Sequence, residues 1–131
     1  MAPKRIAAPS DFAGPERALW RRSIAALEAL GVWQDSDRDA LERFVRSSAS
    51  ARLIRLRIAA AVKAGADPYI TKGSMGQQVV GPLIELERRA RLDADALARE
   101  LGLTPMARKR MGLSGLSDEL DVFLESLTNG R

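Results

Sequence analysis

One predicted element dominates the folding problem of this chain. A helix running from about Ser36 to Lys63 would be on the order of 40 Å long at 1.5 Å per residue, ending where Gly65, Asp67 and Pro68 break it. Its apolar residues, Leu41, Phe44, Val45, Leu53, Ile54, Leu56, Ile58 and Val62, are spread around most of the helical circumference. A helix that is apolar nearly all round is a buried one. A chain of 131 residues suits one domain, which can hardly surround a rod of that length, so the pattern points to neighbouring subunits. The small-residue run Ser47 to Ala51 would let another helix approach closely, or else is a weakly apolar solvent face.

The same helix carries cations on two sides. From Arg43 to Ala66 there are six positive side chains, Arg43, Arg46, Arg52, Arg55, Arg57 and Lys63, and no acid. Between Leu113 and Gly130 the balance reverses, with Asp118, Glu119, Asp121 and Glu125. The net charge of +4 therefore describes the chain less well than a basic middle and an acidic end. The basic run reads either as a solvated, arginine-rich face or as a polyanion contact, in which clustered cations release counterions from a phosphate backbone. Lys4 and Arg5 would add to such a contact. With two Trp, one Tyr and three Phe in all, stacking platforms for single strands are poorly supplied, so double-stranded DNA is the better match.

Composition removes most catalytic chemistry. There is no cysteine and no histidine, so disulfides, thiolate nucleophiles, imidazole bases, Cys/His zinc sites and a Ser-His-Asp constellation all lack their atoms. Carboxylates remain. Asp35, Asp37 and Asp39 fit a helix N-terminus without further assumption, and Asp93 and Asp95, two residues apart on a helix, project about 160° from one another. Neither group makes a ligand cage, and the expectation is a non-enzymatic protein with no cofactor and no metal. Met1 to Phe12 contain no apolar signal core, and no stretch approaches the roughly 18 apolar residues of a membrane span, which points to a cytoplasmic protein without membrane contact.

The remaining elements follow from local punctuation. Residues 1–13, with Pro3, Pro9 and several alanines, read as a flexible arm. A first helix starts at Pro15, carries Trp20, Ile24 and Leu27 at i, i+4, i+7, and ends at Gly31. Ser36 and Asp39 resemble a capping box for the long helix. Tyr69 to Thr71 and Gln77 to Val80 flank Lys72-Gly73-Ser74-Met75-Gly76 as a small hairpin; the glycine spacing matches no phosphate-binding loop. Pro82 opens a third helix with Leu83, Leu86, Ala90, Leu97 and Leu101 on one stripe, closed by Gly102. With Leu53 and Leu56 these form the expected subunit interface. Thr104-Pro105 caps a short basic helix that exposes Arg108, Lys109 and Arg110. Ser117 caps a final segment in which Leu120, Phe123, Leu124 and Leu127 form a stripe on an acidic background; so short a helix must dock, on its own core or in a partner's groove.

Several of these motifs occur together in a known family. Lys72-Gly73-Ser74-Met75-Gly76-Gln77, then Gly81-Pro82-Leu83, then Glu100-Leu101-Gly102-Leu103-Thr104-Pro105 with Ala107-Arg108 and Arg110, resemble phage terminase small subunits of siphophages and prophages of high-GC bacteria. Those sequences similarly open with a Trp-bearing helix, here Ala18-Leu19-Trp20, a Leu30-Gly31 break and an acid-rich start to the second helix, Asp37-Arg38-Asp39-Ala40-Leu41. The resemblance covers about Gly14 to Leu113. It departs at Gly81, where relatives usually place Asn or His before the proline. It implies a mainly α subunit with one small β-hairpin that assembles into a cyclic homo-oligomeric ring. It also implies a non-catalytic role: binding viral double-stranded DNA near the packaging start and passing it to the large terminase subunit. The expected organisation is an arm (1–13), a helical DNA-binding and oligomerisation domain (14–113), and an acidic tail (114–131) that contacts the large subunit through Leu120, Phe123, Leu124 and Leu127. The competing reading from the residues alone is a small dimeric DNA-binding regulator or antitoxin-like protein, which would favour a short palindromic site. A pure protein adaptor, acting through the tail, is the third.

Overall fold

Each helix of the computed structural model, which describes residues 6–110, begins and ends at a local signal. Helix α1 spans Gly14–Ala29. Pro15 lies in its first turn, where no N–H is needed, and the Glu16 carboxylate reaches back to accept the Ala13 N–H at 3.3 Å. At its end the Val32 N–H folds back onto the Leu27 carbonyl at 3.1 Å, a reversal that Gly31 allows by adopting φ +71°. A 3-10 turn over Asp35–Asp37 then precedes α2, Arg38–Lys63. The capping contact expected of Ser36 and Asp39 is made two residues earlier, with Asp37 Oδ2 accepting the Gln34 N–H at 3.2 Å.

Strands β1 (Ile70–Lys72) and β2 (Gln78–Val80) pair antiparallel, Ile70 opposite Val80 and Lys72 opposite Gln78. Both faces of this hairpin are exposed. Helix α3 spans Pro82–Leu101 and stops at Gly102, which takes φ +83°. Helix α4 spans Pro105–Arg110, with Thr104 Oγ1 accepting the Ala107 N–H at 3.1 Å, the cap expected from Thr104-Pro105. The molecule is thus mainly helical with one small antiparallel hairpin.

At Gly81 the antiparallel pairing continues one residue past the strands. The Gly81 N–H donates to the Tyr69 carbonyl at 2.8 Å, and any Cβ built on Gly81 would collide with the Pro68 carbonyl oxygen. The backbones therefore approach too closely at Gly81 for any side chain.

The core occupies one end of the molecule. Trp20, Ile24 and Leu27 of α1 pack with Leu41, Phe44 and Val45 from the first half of α2 and with Ala94, Ala98 and Leu101 from the last half of α3. Helices α2 and α3 run antiparallel, since Phe44 shares the core with Ala98 while Arg55, further along α2, meets Glu87, further back on α3. Beyond Ala51 the two continue as a stalk tipped by the hairpin, and there Leu53, Leu56, Val62, Leu86 and Leu92 lie exposed.

Two expectations are corrected here. Residues 6–13 are not a free arm: Phe12 is buried, its ring set edge-on to Trp20 at 5.9 Å. The Trp20 indole N–H donates to the Ile6 carbonyl at 3.2 Å, and Arg38 donates to the Ala7 carbonyl at 3.0 Å. The alanines and prolines hid one aromatic anchor large enough to dock the segment. Arg108, expected exposed, is 5% exposed, because α4 turns its Ala107–Arg108 side inward beside buried Leu103. The tail residues Leu120, Phe123, Leu124 and Leu127, like Lys4 and Arg5, lie outside the described residues.

Candidate functional site

The six cations of α2 divide between two sides of the helix and differ in their surroundings. Arg46 is the most engaged. It forms a two-pronged pair with Asp11, at 2.9 and 3.1 Å, donates to Glu42 Oε1 at 2.8 Å, and lies over the Phe12 ring at 4.9 Å. The hydrogen bond from Arg46 holds the Asp11 carboxyl below its ordinary range, and Asp11 and Glu42 in turn raise the Arg46 pKa. In the protomer Arg46, expected as a phosphate contact, clips residues 6–13 to α2. Arg43 stands beside it, with Asp93 and Glu100 of α3, around a shallow depression. Arg57 and Lys63 are exposed on the stalk.

On the other side, Arg52 and Arg55 border a groove of about 320 Å³ between α1, α2 and α3. Its floor is apolar, formed by Leu19, Phe44, Ala51, Ala98 and Leu103. Its rim holds, among the described residues, five arginines, Arg22 from α1, Arg52 and Arg55 from α2, and Arg91 and Arg99 from α3, and one carboxylate, Asp95. Glu87 contacts two of them, Arg55 at 3.5 Å and Arg91 at 3.4 Å. Sequence reasoning found Arg52 and Arg55 but missed Arg22, Arg91 and Arg99. The available signal was the i, i+4, i+8 series Arg91-Asp95-Arg99, which places all three on one side of α3. Asp93 and Asp95 face the depression and the groove respectively, the divergence their spacing implies.

The residues expected to join subunits also divide. Leu53, Leu56 and Leu86 are 54%, 58% and 49% exposed and are open to a partner. Leu83 and Ala90 are half-buried. Leu101 is buried in the protomer's own core, while Leu97 packs against that core and is partly exposed at the depression beside Arg43. The stripe on α3 is continuous in sequence but covers two surroundings, the core at its C-terminal end and solvent at its N-terminal end.

Among the described residues no helix is long and apolar enough to cross a membrane, and no three acids gather as metal ligands. No curated protein and no solved structure matches the chain. The family model described as phage terminase, small subunit, matches residues 17–117, a span that takes in the Trp helix, the stalk, the hairpin and α4. The chain belongs to the small-subunit family of phage terminases, and its role lies in phage DNA packaging.

Proposed function

We propose that this protein binds viral double-stranded DNA at the packaging start and recruits the large terminase subunit, which supplies ATPase and nuclease chemistry. The observation that carries the reading is the family match over residues 17–117. The exposed stalk supports it: a lone protomer leaves Leu53, Leu56 and Leu86 in water, and exposed apolar surface of this kind marks association. Assembly as a cyclic homo-oligomer would cover those side chains and repeat the basic surface around a ring, multiplying weak phosphate contacts. We assign the DNA contacts to Arg43, Arg52, Arg57 and Lys63, with Lys4 and Arg5. Arg55, already paired with Glu87, contributes less. Contact with the large subunit falls to the tail stripe Leu120, Phe123, Leu124 and Leu127.

The test is the salt dependence of DNA affinity for single substitutions to glutamine. Each true phosphate contact removed should flatten the slope of log affinity against log salt by about 0.9. Arg46→Gln should leave the slope close to that of the parent, because its guanidinium is already held by Asp11 and Glu42. Unchanged slopes for Arg43, Arg52, Arg57 and Lys63 alike would remove the DNA face from α2.

A further inference from the structure

We infer that the arginine-rimmed groove is the resting seat of the chain's own acidic C-terminal segment, residues 117–127, docked within the same protomer. This goes beyond the packaging reading, and shares only Arg52 with the DNA contacts proposed above. The floor of the groove is apolar, with Leu19, Phe44 and Leu103, while its rim carries, among the described residues, five arginines and the carboxylate of Asp95, with Glu87 beside Arg55 and Arg91. A phosphate backbone would pair with such a rim but offers nothing to cover the floor. An amphipathic segment with an acidic flank satisfies both.

Residues 117–127 have that make-up. Leu120, Phe123, Leu124 and Leu127 fall at i, i+3, i+4, i+7, and Asp118, Glu119, Asp121 and Glu125 surround them. The apolar stripe matches the floor, and the carboxylates match the Arg52 and Arg99 guanidinium groups of the rim, whose fork shape suits two-bond pairing. Chain geometry selects this segment over a foreign peptide. Leu103 and Thr104 are part of the groove wall, and α4 follows immediately, ending at Arg110. Residues 111–116, two of them glycine, can extend by roughly 20 Å at about 3.3 Å per residue. A connection of this length holds its end at an effective concentration on the order of millimolar, so even a weak seat is filled from within.

Hydrogen exchange on the full-length protein tests this. Amides of residues 117–127 should exchange at least about 10-fold more slowly than free-chain rates, since docking hides them from water. The double reversal Arg52→Glu with Arg99→Glu should bring them to free-chain rates while amides of Trp20 to Leu27 stay protected, which shows that the fold survives. Adding Glu119→Arg and Asp121→Arg to that variant should restore most of the protection. Free-chain exchange of the segment in the parent protein would overturn the inference. So would protection that the rim reversal leaves intact. Protection that rises with protein concentration would assign the groove to a second copy's tail, and protection appearing only with added large subunit would assign the tail to that partner; either ends the same-protomer seat. Loss of DNA affinity in the rim variant with unaltered tail exchange would make the groove a nucleic-acid surface and overturn it as well.

Discussion

Helices α2 and α3 pass through two environments, and the same kind of side chain plays opposite parts in each. In the head, Leu41, Phe44 and Val45 of α2 are buried against α1 and against Ala94, Ala98 and Leu101 of α3. In the stalk, Leu53 and Leu56 of α2 and Leu86 of α3 face water. What separates the halves is α1, which with residues 6–13 covers only the head. The head encloses its own apolar surface, whereas the stalk leaves Leu53, Leu56 and Leu86 uncovered in the protomer. A helix that is apolar all round need not be buried all round by its own chain; here one half is enclosed and the other is offered outward.

The largest effect should come from the head. Trp20 is fully buried, and Trp20→Ala should cost about 3–5 kcal/mol, a large share of the stability of a domain this size. Chemical denaturation would report it; a loss below about 1 kcal/mol would mean that the head is not the stabilising half. Next comes the junction of stalk and hairpin. Gly81→Ala drives a methyl into the Pro68 carbonyl, and forced packing of this sort costs about 1–3 kcal/mol. Because the hairpin is solvated on both faces, the damage should be local, visible as faster exchange at Gly81 and Ile84 with little change around Trp20.

A smaller effect belongs to the clip on residues 6–13. Arg46 lowers the Asp11 pKa, so the deprotonated acid is favoured in the folded state. The stabilisation is complete above the ordinary carboxyl value of 3.8 and disappears as pH falls through the lowered value. Titration followed by NMR should show Asp11 titrating below 3.8, with the amides of residues 6–12 shifting in step and those of α3 unmoved. An Asp11 that titrates at the ordinary value would dissolve the clip. The smallest effect on protomer stability should come from the stalk. Leu53→Ser with Leu56→Ser, measured at a dilution where protomers are separate, should move stability by no more than about 0.5 kcal/mol. Light scattering at micromolar concentration should meanwhile show association lost. If association survives, the association surface lies elsewhere.

Much of this architecture was legible because its signals are local. Pro15, Gly31, Pro82 and Gly102 mark helix ends through their own backbone chemistry, and Thr104 caps α4 three residues ahead of its donor. The errors are all tertiary. Phe12 stands in an alanine- and proline-rich stretch, and nothing in that stretch announces that Trp20 and Arg46 will hold it. Leu101 continues a stripe that begins with Leu83, and periodicity alone does not say where along α3 the protomer's core ends. Arg108 lies in a basic run that reads as exposed until α4 folds against Leu103. The groove is the clearest case, since Arg22, Arg52 and Arg99 are far apart in sequence and meet only when three helices pack.

The close approach at Gly81 has a consequence for how the hairpin is attached. Gly81 is the one residue between β2 and α3, its N–H is held by the Tyr69 carbonyl at 2.8 Å, and the space a side chain would need is taken by the Pro68 carbonyl. Met75 at the hairpin tip, 89% exposed, is therefore carried on a junction with no loop of its own, at the opposite end of α3 from Ala94, Ala98 and Leu101.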